Sequence, residues 1–188
     1  SKNGRKFLEN FKKDFWLDLK INDIPQTALS AIDSLKDLKK CKYITVHANG
    51  GLKMLKVIKK RAKLINKDLK VLGVTILTSL NNKSLQEIGH TKSVEQLVLQ
   101  QASLIKKSGC DGIVCSAQEA QMIRKKYKNL FIVTPGIRLP GDNANDQSRV
   151  MTPKDAFKNK VSGIVMGRSL IKGNIKNNTQ RLIDHLNK

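Results

Sequence analysis

The sequence predicts an α/β fold of the parallel kind, a (β/α)8 TIM-type barrel with about six of its eight strands present. Three observations predict it. Short apolar runs alternate with longer amphipathic stretches, which implies a parallel sheet with right-handed crossovers. The short runs are apolar nearly throughout, as strands buried on both faces are. Almost every run also ends in a polar or glycine-rich cluster: Asp18-Leu19-Lys20, His47-Ala48-Asn49-Gly50-Gly51, Thr78-Ser79, Ser116, Thr134-Pro135-Gly136 and Gly167-Arg168. An open doubly wound sheet concentrates its site at one switch point, whereas a barrel gathers it from the C-terminal ends of many strands. The scatter of polar ends therefore favours the barrel.

The elements follow in order. Residues 5–13 read as a helix with Phe7, Leu8 and Phe11 on one side, and 15–19 as the first strand. Pro25 suits a first helical turn, and Leu29, Ile32, Leu35 and Leu38 stripe a helix over 26–40. A strand over 43–47 leads through Gly50-Gly51, a helix-initiating turn, into a helix over 51–66 striped by Leu55, Ile58, Ala62 and Ile65. A strand over 71–77 precedes a helix over 93–107, where Ser93 with Gln96 forms the pattern of a capping box. Strands at 112–116, 130–134 and 163–167 complete the series. A single barrel domain over 1–188 is expected. It opens on a helix, so relative to a full barrel it lacks its first two strands.

Composition narrows the function. No run of 18 or more apolar residues is present, and the basic N-terminal stretch has no apolar segment behind it. Cys41, Cys110 and Cys115 are an odd number without zinc spacing, as free thiols in a reducing cytoplasm would be, and Cys110 and Cys115 flank an apolar strand as buried packing residues. His47 stands apart from any other ligand at metal spacing and reads as a hydrogen-bonded strand-end residue; His90 and His185 read as surface. The net charge of +21 raises the possibility of nucleic-acid binding. Yet 7 of the 36 basic residues are Arg, aromatics are 4%, and the Lys residues spread over the helices, which describes solvated faces better than a nucleic-acid surface.

The residues with the most chemistry are Asp18, Lys20 and Asp23. Side chains two apart on a strand share a face, so Asp18 and Lys20 point together, with Asp23 just past the strand. The run Asp18-Leu19-Lys20-Ile21-Asn22-Asp23-Ile24-Pro25-Gln26-Thr27 resembles the D-x-K-x-x-D-I-P-x-T signature of the orotidine 5′-phosphate decarboxylases. Later landmarks keep that family's order: the His47 and Thr78 clusters, Asp111 to Ala120, Thr134 to Arg138, Asp146-Gln147, Met151-Thr152-Pro153 and Gly167-Arg168-Ser169. The resemblance implies decarboxylation of orotidine 5′-phosphate to uridine 5′-phosphate without metal or cofactor, by a cytoplasmic homodimer. It implies that Lys20 delivers the proton to C6, that Asp18 lies beside the departing carboxylate, and that Asp23 and Thr27 reach a neighbouring subunit's site. Thr78 and Ser116 would lie near the pyrimidine, Gln147 would bridge base and phosphate, and Gly167 and Arg168 would grip the phosphate. Arg138 sits after a late strand, where barrels often bind phosphate.

The chain departs from that family at its start: no residue matches the aspartate and lysine of the family's first two strands. The expected array is therefore reduced to Asp18, Lys20 and Asp23, and the 188 residues alone are expected to be nearly inactive. Two other readings stand beside this one. A Mg²⁺-dependent sugar-phosphate decarboxylase or aldolase of the same barrel superfamily would share the D-x-K-x-x-D core, and a basic nucleic-acid-binding protein would show steep salt dependence.

Overall fold

The computed structural model describes residues 2–143 and 149–187. The chain divides into two compact units, one formed by residues 1–74 and 101–112 and the other by 75–100 and 113–188.

In the first unit, α1 (Lys2–Glu9) leads to β1 (Phe15–Ile21), α2 (Pro25–Asp33), β2 (Cys41–His47), α3 (Gly51–Ile65) and β3 (Lys70–Val74). β1 pairs with β2 and β2 with β3, both in parallel. The apolar faces of α2 and α3 supply Ile32, Met54, Leu55 and Ile58, all fully buried, against Ile44 and Leu72 of the strands. Pro25 opens α2 as expected. The helix stops at Asp33 rather than continuing to 40, and Leu35 and Leu38 follow in tight turns, Leu35 N–H to Ile32 O at 2.9 Å and Leu38 N–H to Leu35 O at 2.9 Å. Both leucines are still buried, so the stripe read from the sequence marked burial and not a continuous helix. The first helix likewise ends at Glu9; Phe11 leaves it to pack between Phe7 and Phe15, tilted against one and edge-on to the other, at 5.4 and 5.8 Å between ring centroids.

α5 (Val94–Ser108) brings its C-terminal half into the first unit. Its capping box is formed: Ser93 N–H donates to Gln96 Oε1 at 3.0 Å, and Gln96 N–H to Ser93 Oγ at 3.3 Å. Gly73 of β3 lies where α5 passes closest. A Cβ there would sit 2.4 Å from Ile105 Cγ1 and 2.5 Å from Cδ1. Asp111 ties the same region together, accepting from Lys59 Nζ at 2.6 Å and from Val71 N–H at 2.8 Å.

The second unit holds α4 (Asn82–Glu87), the strand β4 (Gly112–Val114), α6 (Ala117–Lys126), β5 (Phe131–Thr134), α7 (Pro153–Lys158), β6 (Gly163–Ile164), α8 (Arg168–Ile171) and α9 (Ile175–Asn187). β5 and β6 pair in parallel, and Cys115 N–H donates to Val133 O at 3.2 Å, joining the end of β4 to β5. Residues 75–77, read from the sequence as strand, lie past the end of β3: Thr75 N–H still donates to Val114 O at 3.0 Å, while the Leu77 carbonyl accepts from Arg149 Nη2 at 2.8 Å. Strand and helix alternate in both units, and the described residues carry six parallel strands of the (β/α)8 class. No helix among the described residues is long and apolar enough to cross a membrane.

The Gly73 contact sets an expected outcome. Gly73→Ala forces its methyl into the fully buried Ile105 and lowers unfolding free energy by about 1–3 kcal/mol, as overpacking of a filled core does. Denaturant unfolding measures it, and a neutral or stabilising result would contradict the packing.

Candidate active site

The polar residues predicted from the sequence fall at the C-terminal ends of the strands, in two groups, one in each unit.

In the first unit, β1 is irregular where Asp18, Leu19 and Lys20 lie. Leu17 pairs with Ile44 and Ile21 with Val46, so four steps along β1 oppose two along β2. The surplus makes a bulge, and within it Lys20 adopts φ of +49°, in the left-handed region that non-glycine residues avoid at a cost of about 1–2 kcal/mol. The bulge places the side chains of Asp18 and Lys20 together, and Lys20 Nζ hydrogen-bonds Asp18 Oδ2. Both side chains remain well exposed, at 54% and 42%. An exposed ion pair contributes about 0–1 kcal/mol, which does not offset the backbone strain. Stability alone does not account for this geometry.

Thr45 on β2, fully buried, faces the bulge. It was not singled out in the sequence, where its hydroxyl is lost in an apolar strand. Thr45 Oγ1 donates to Asp18 Oδ1 at 2.7 Å and accepts from the Lys20 backbone N–H at 2.9 Å. His47, two residues on, shares that face of β2. Burial lowers the His47 imidazole below its ordinary value, the nearby Lys20 charge lowers it further, and Asp18 opposes both. The loop after β2 is anchored by Gln101 of α5, whose Nε2 donates to Asn49 Oδ1 at 2.7 Å. Asp23 lies past the strand, exposed, with Oδ1 accepting from Ile24 N–H at 2.7 Å; Thr27 is exposed on α2, and Ile24 between them is 67% exposed.

In the second unit, Gly136 at φ +77° turns the chain out of β5, and residues 136–138 then pair with Met151: Met151 N–H to Gly136 O at 3.1 Å and Arg138 N–H to Met151 O at 3.0 Å. Arg138 is buried, its Nε donating to Asn143 O at 3.2 Å and its Nη1 to Ile137 O at 2.9 Å. With Arg168, Lys172, Arg181 and Asp142 it lines a strongly basic cavity of about 260 Å³. Burial would raise the Asp142 carboxyl, but the neighbouring Ser169 side chain and the Arg181 guanidinium, which hydrogen-bonds it at 3.2 Å, prevail and hold it below its ordinary value. Gly167 stands just before α8 and, like Arg168, is exposed. Ser116 is 1% exposed and caps α6: its N–H donates to Glu119 Oε2 at 2.9 Å and its Oγ accepts from Gln118 N–H at 3.3 Å. Thr78 is half-buried in the loop after β3. Gln147 and Asp146 lie outside the described residues.

The sequence reading also missed Glu119 and Arg149. Their side chains are ion-paired at 5% and 9% exposure, and Arg149 reaches on to the carbonyl of Leu77. A Ser-x-x-Glu pattern at 116–119 signals the capping half of this arrangement; the Arg149 half has no local signal.

The cysteines are buried thiols. Burial raises Cys41, pushes Cys110 up to about 11 and raises Cys115 further, which leaves none of the three a ready nucleophile at neutral pH. Among the described residues no group of three His, Cys, Asp or Glu is arranged to hold a metal ion.

Parallel strands with charged and basic groups at their C-terminal ends define the class as a (β/α)-barrel protein. Residues 2–181 match the Orotidine 5′-phosphate decarboxylase / HUMPS family, and the chain belongs to it. An orotidine 5′-phosphate decarboxylase of Staphylococcus epidermidis is 42% identical over 172 residues, covering 89% of this chain and 74% of that protein. One from Prochlorococcus marinus is 42% identical over 172 residues, covering 88% and 71%. The crystal structure of orotidine 5′-phosphate decarboxylase from Lactobacillus acidophilus superposes with a TM-score of 0.78 at 31% identity, covering 93% of this chain and 76% of that one.

His47 reports on the Lys20 charge. Its imidazole is expected to titrate below the ordinary value of about 6.5 in the folded protein, and Lys20→Met to move it upward. Because the folded value is the lower one, the linked stability is present above pH ~6.5 and is lost as pH falls below it. NMR titration of the ring protons checks both. An unshifted midpoint in Lys20→Met would mean that the ammonium does not face His47.

Proposed function

We propose that this protein decarboxylates orotidine 5′-phosphate to uridine 5′-phosphate, in pyrimidine biosynthesis. The observation that carries the reading is the Asp18–Lys20 pair on its bulge, inside a chain that belongs to this family from residue 2 to 181.

The chemistry suits those groups. The bond from C6 to the carboxyl carbon breaks, CO₂ leaves, and the electron pair remains on C6. Lys20 Nζ supplies the proton that C6 takes up, and the amine regains a proton from water. A fixed ammonium beside the developing charge stabilises it. Asp18 lies against the departing carboxylate and disfavours the substrate's charge more than that of the transition state. At the other end of the ligand, the basic cavity supports phosphate binding by Arg138, Gly167 and Arg168, with Gln147 bridging phosphate and base, while Thr78 and Ser116 approach the pyrimidine. Ser116 would do so while still capping α6.

The assembly is a homodimer in which Asp23 and Thr27 serve the neighbouring subunit. Their exposure, together with Ile24 at 67% and Leu19 at 45%, supports an interface at this corner. Three buried free thiols support a reducing, cytoplasmic location.

The test is CO₂ release from orotidine 5′-phosphate by the purified full-length protein, with and without EDTA. Turnover is expected to be indifferent to the chelator, and Lys20→Ala to lower kcat by at least roughly 10²–10⁴-fold while uridine 5′-phosphate still binds. Full activity in Lys20→Ala would refute the proton-donor role. Turnover of a pentulose or hexulose phosphate with Mg²⁺, and none of the nucleotide, would refute the substrate.

A further inference from the structure

We propose that Thr45 is a positioning residue for the reaction, holding Lys20 and Asp18 in their working geometry through one hydroxyl; this rests on the decarboxylase reading above.

Between Leu17 and Ile21 the β1–β2 ladder is interrupted, so the Lys20 N–H has no strand carbonyl opposite it. It donates to Thr45 Oγ1 at 2.9 Å instead. The same hydroxyl spends its single proton on Asp18 Oδ1 at 2.7 Å, and Asp18 Oδ2 receives the Lys20 ammonium. The result is a closed ring, from the Lys20 backbone to the hydroxyl, to the carboxylate, and back to the Lys20 side chain. Each link removes one freedom. The bond to the N–H fixes the left-handed backbone of Lys20, which a regular strand would abolish. The bond to Oδ1 fixes the rotation of the Asp18 carboxylate and so the direction from which it meets Nζ.

Burial makes the arrangement costly to leave. Thr45 is fully buried between Ile44 and Val46, which hold the ladder to β3 on its other side. The hydroxyl therefore cannot turn to water in exchange for these two partners. Lys20 and Asp18 are by contrast half in solvent and would be free to adopt other rotamers. A residue whose rotamer is locked by packing thus orders two that are not.

The experiment compares Thr45→Val, Thr45→Ala and Thr45→Ser. Val keeps the shape and loses the hydroxyl. Ser and Ala both lose the methyl, and only Ala loses the hydroxyl, so the Ser–Ala pair answers the question even if Val fails to fold. The expected result is a fall in kcat on the order of 10–100-fold for Val and Ala, the worth of a hydrogen bond to a charged group, with Ser recovering most of it. The affinity for uridine 5′-phosphate, read at the phosphate end, stays within a few-fold in all three. In Val and Ala the His47 midpoint shifts as Lys20 moves, a change that mere loss of stability does not produce. Equal kcat in Ser and Ala, or a Val variant with unaltered kcat, overturns the proposal. The variants are made in the full-length protein, and absence of CO₂ release by its unsubstituted form overturns the functional reading instead, so the two failures are distinct.

Discussion

The ion pair between Glu119 and Arg149 is the constraint on which the strand-end loops of the second unit depend. The two side chains are 5% and 9% exposed, so breaking the pair would leave a buried charge uncompensated at a cost of about 3–5 kcal/mol, and further hydrogen-bond partners hold them in place. The partners are drawn from separate loops. Glu119 Oε2 takes the N–H of Ser116 and so fixes the turn from β4 into α6. Arg149 Nη2 takes the carbonyl of Leu77 and so ties down the segment that follows β3. Two residues beyond Arg149, Met151 pairs with Gly136 and Arg138. Thr78, Ser116 and Arg138 are each held by a backbone that this pair orders.

The first unit meets the same requirement by another route. Its charges are exposed and contribute little by pairing, so their geometry cannot rest on mutual attraction. It rests on a neutral hydroxyl that is buried. Desolvation works against the charges in one unit and leaves the exposed pair of the other largely untouched.

Much of this was legible in the sequence because it is local. Strand–helix alternation and the Ser93–Gln96 box depend on nearby residues and appear in the structure; Asp18 and Lys20 also meet, but through a bulge and not through regular strand alternation. What was not legible depends on distant partners. Leu35 and Leu38 continue a helical stripe, yet the helix stops at Asp33 because tight turns bury them equally well. Ile76 and Leu77 have the composition of a strand, yet their carbonyls accept from an arginine more than 70 positions away. Thr45 reads as an ordinary β-former; only the bulge opposite it gives its hydroxyl two polar partners. The abundance of lysine is partly explained as well, with Lys42, Lys59 and Lys70 engaged by Asp68 and Asp111.

The central claim is that the Lys20 ammonium meets the carbon that loses CO₂. A crystal structure of the protein with uridine 5′-phosphate measures this directly. The account predicts Lys20 Nζ within about 3–3.5 Å of C6, with Asp18 still bonded to Thr45. A nucleotide whose C6 is out of reach of Lys20, with the pair on β1 turned to solvent, would contradict it.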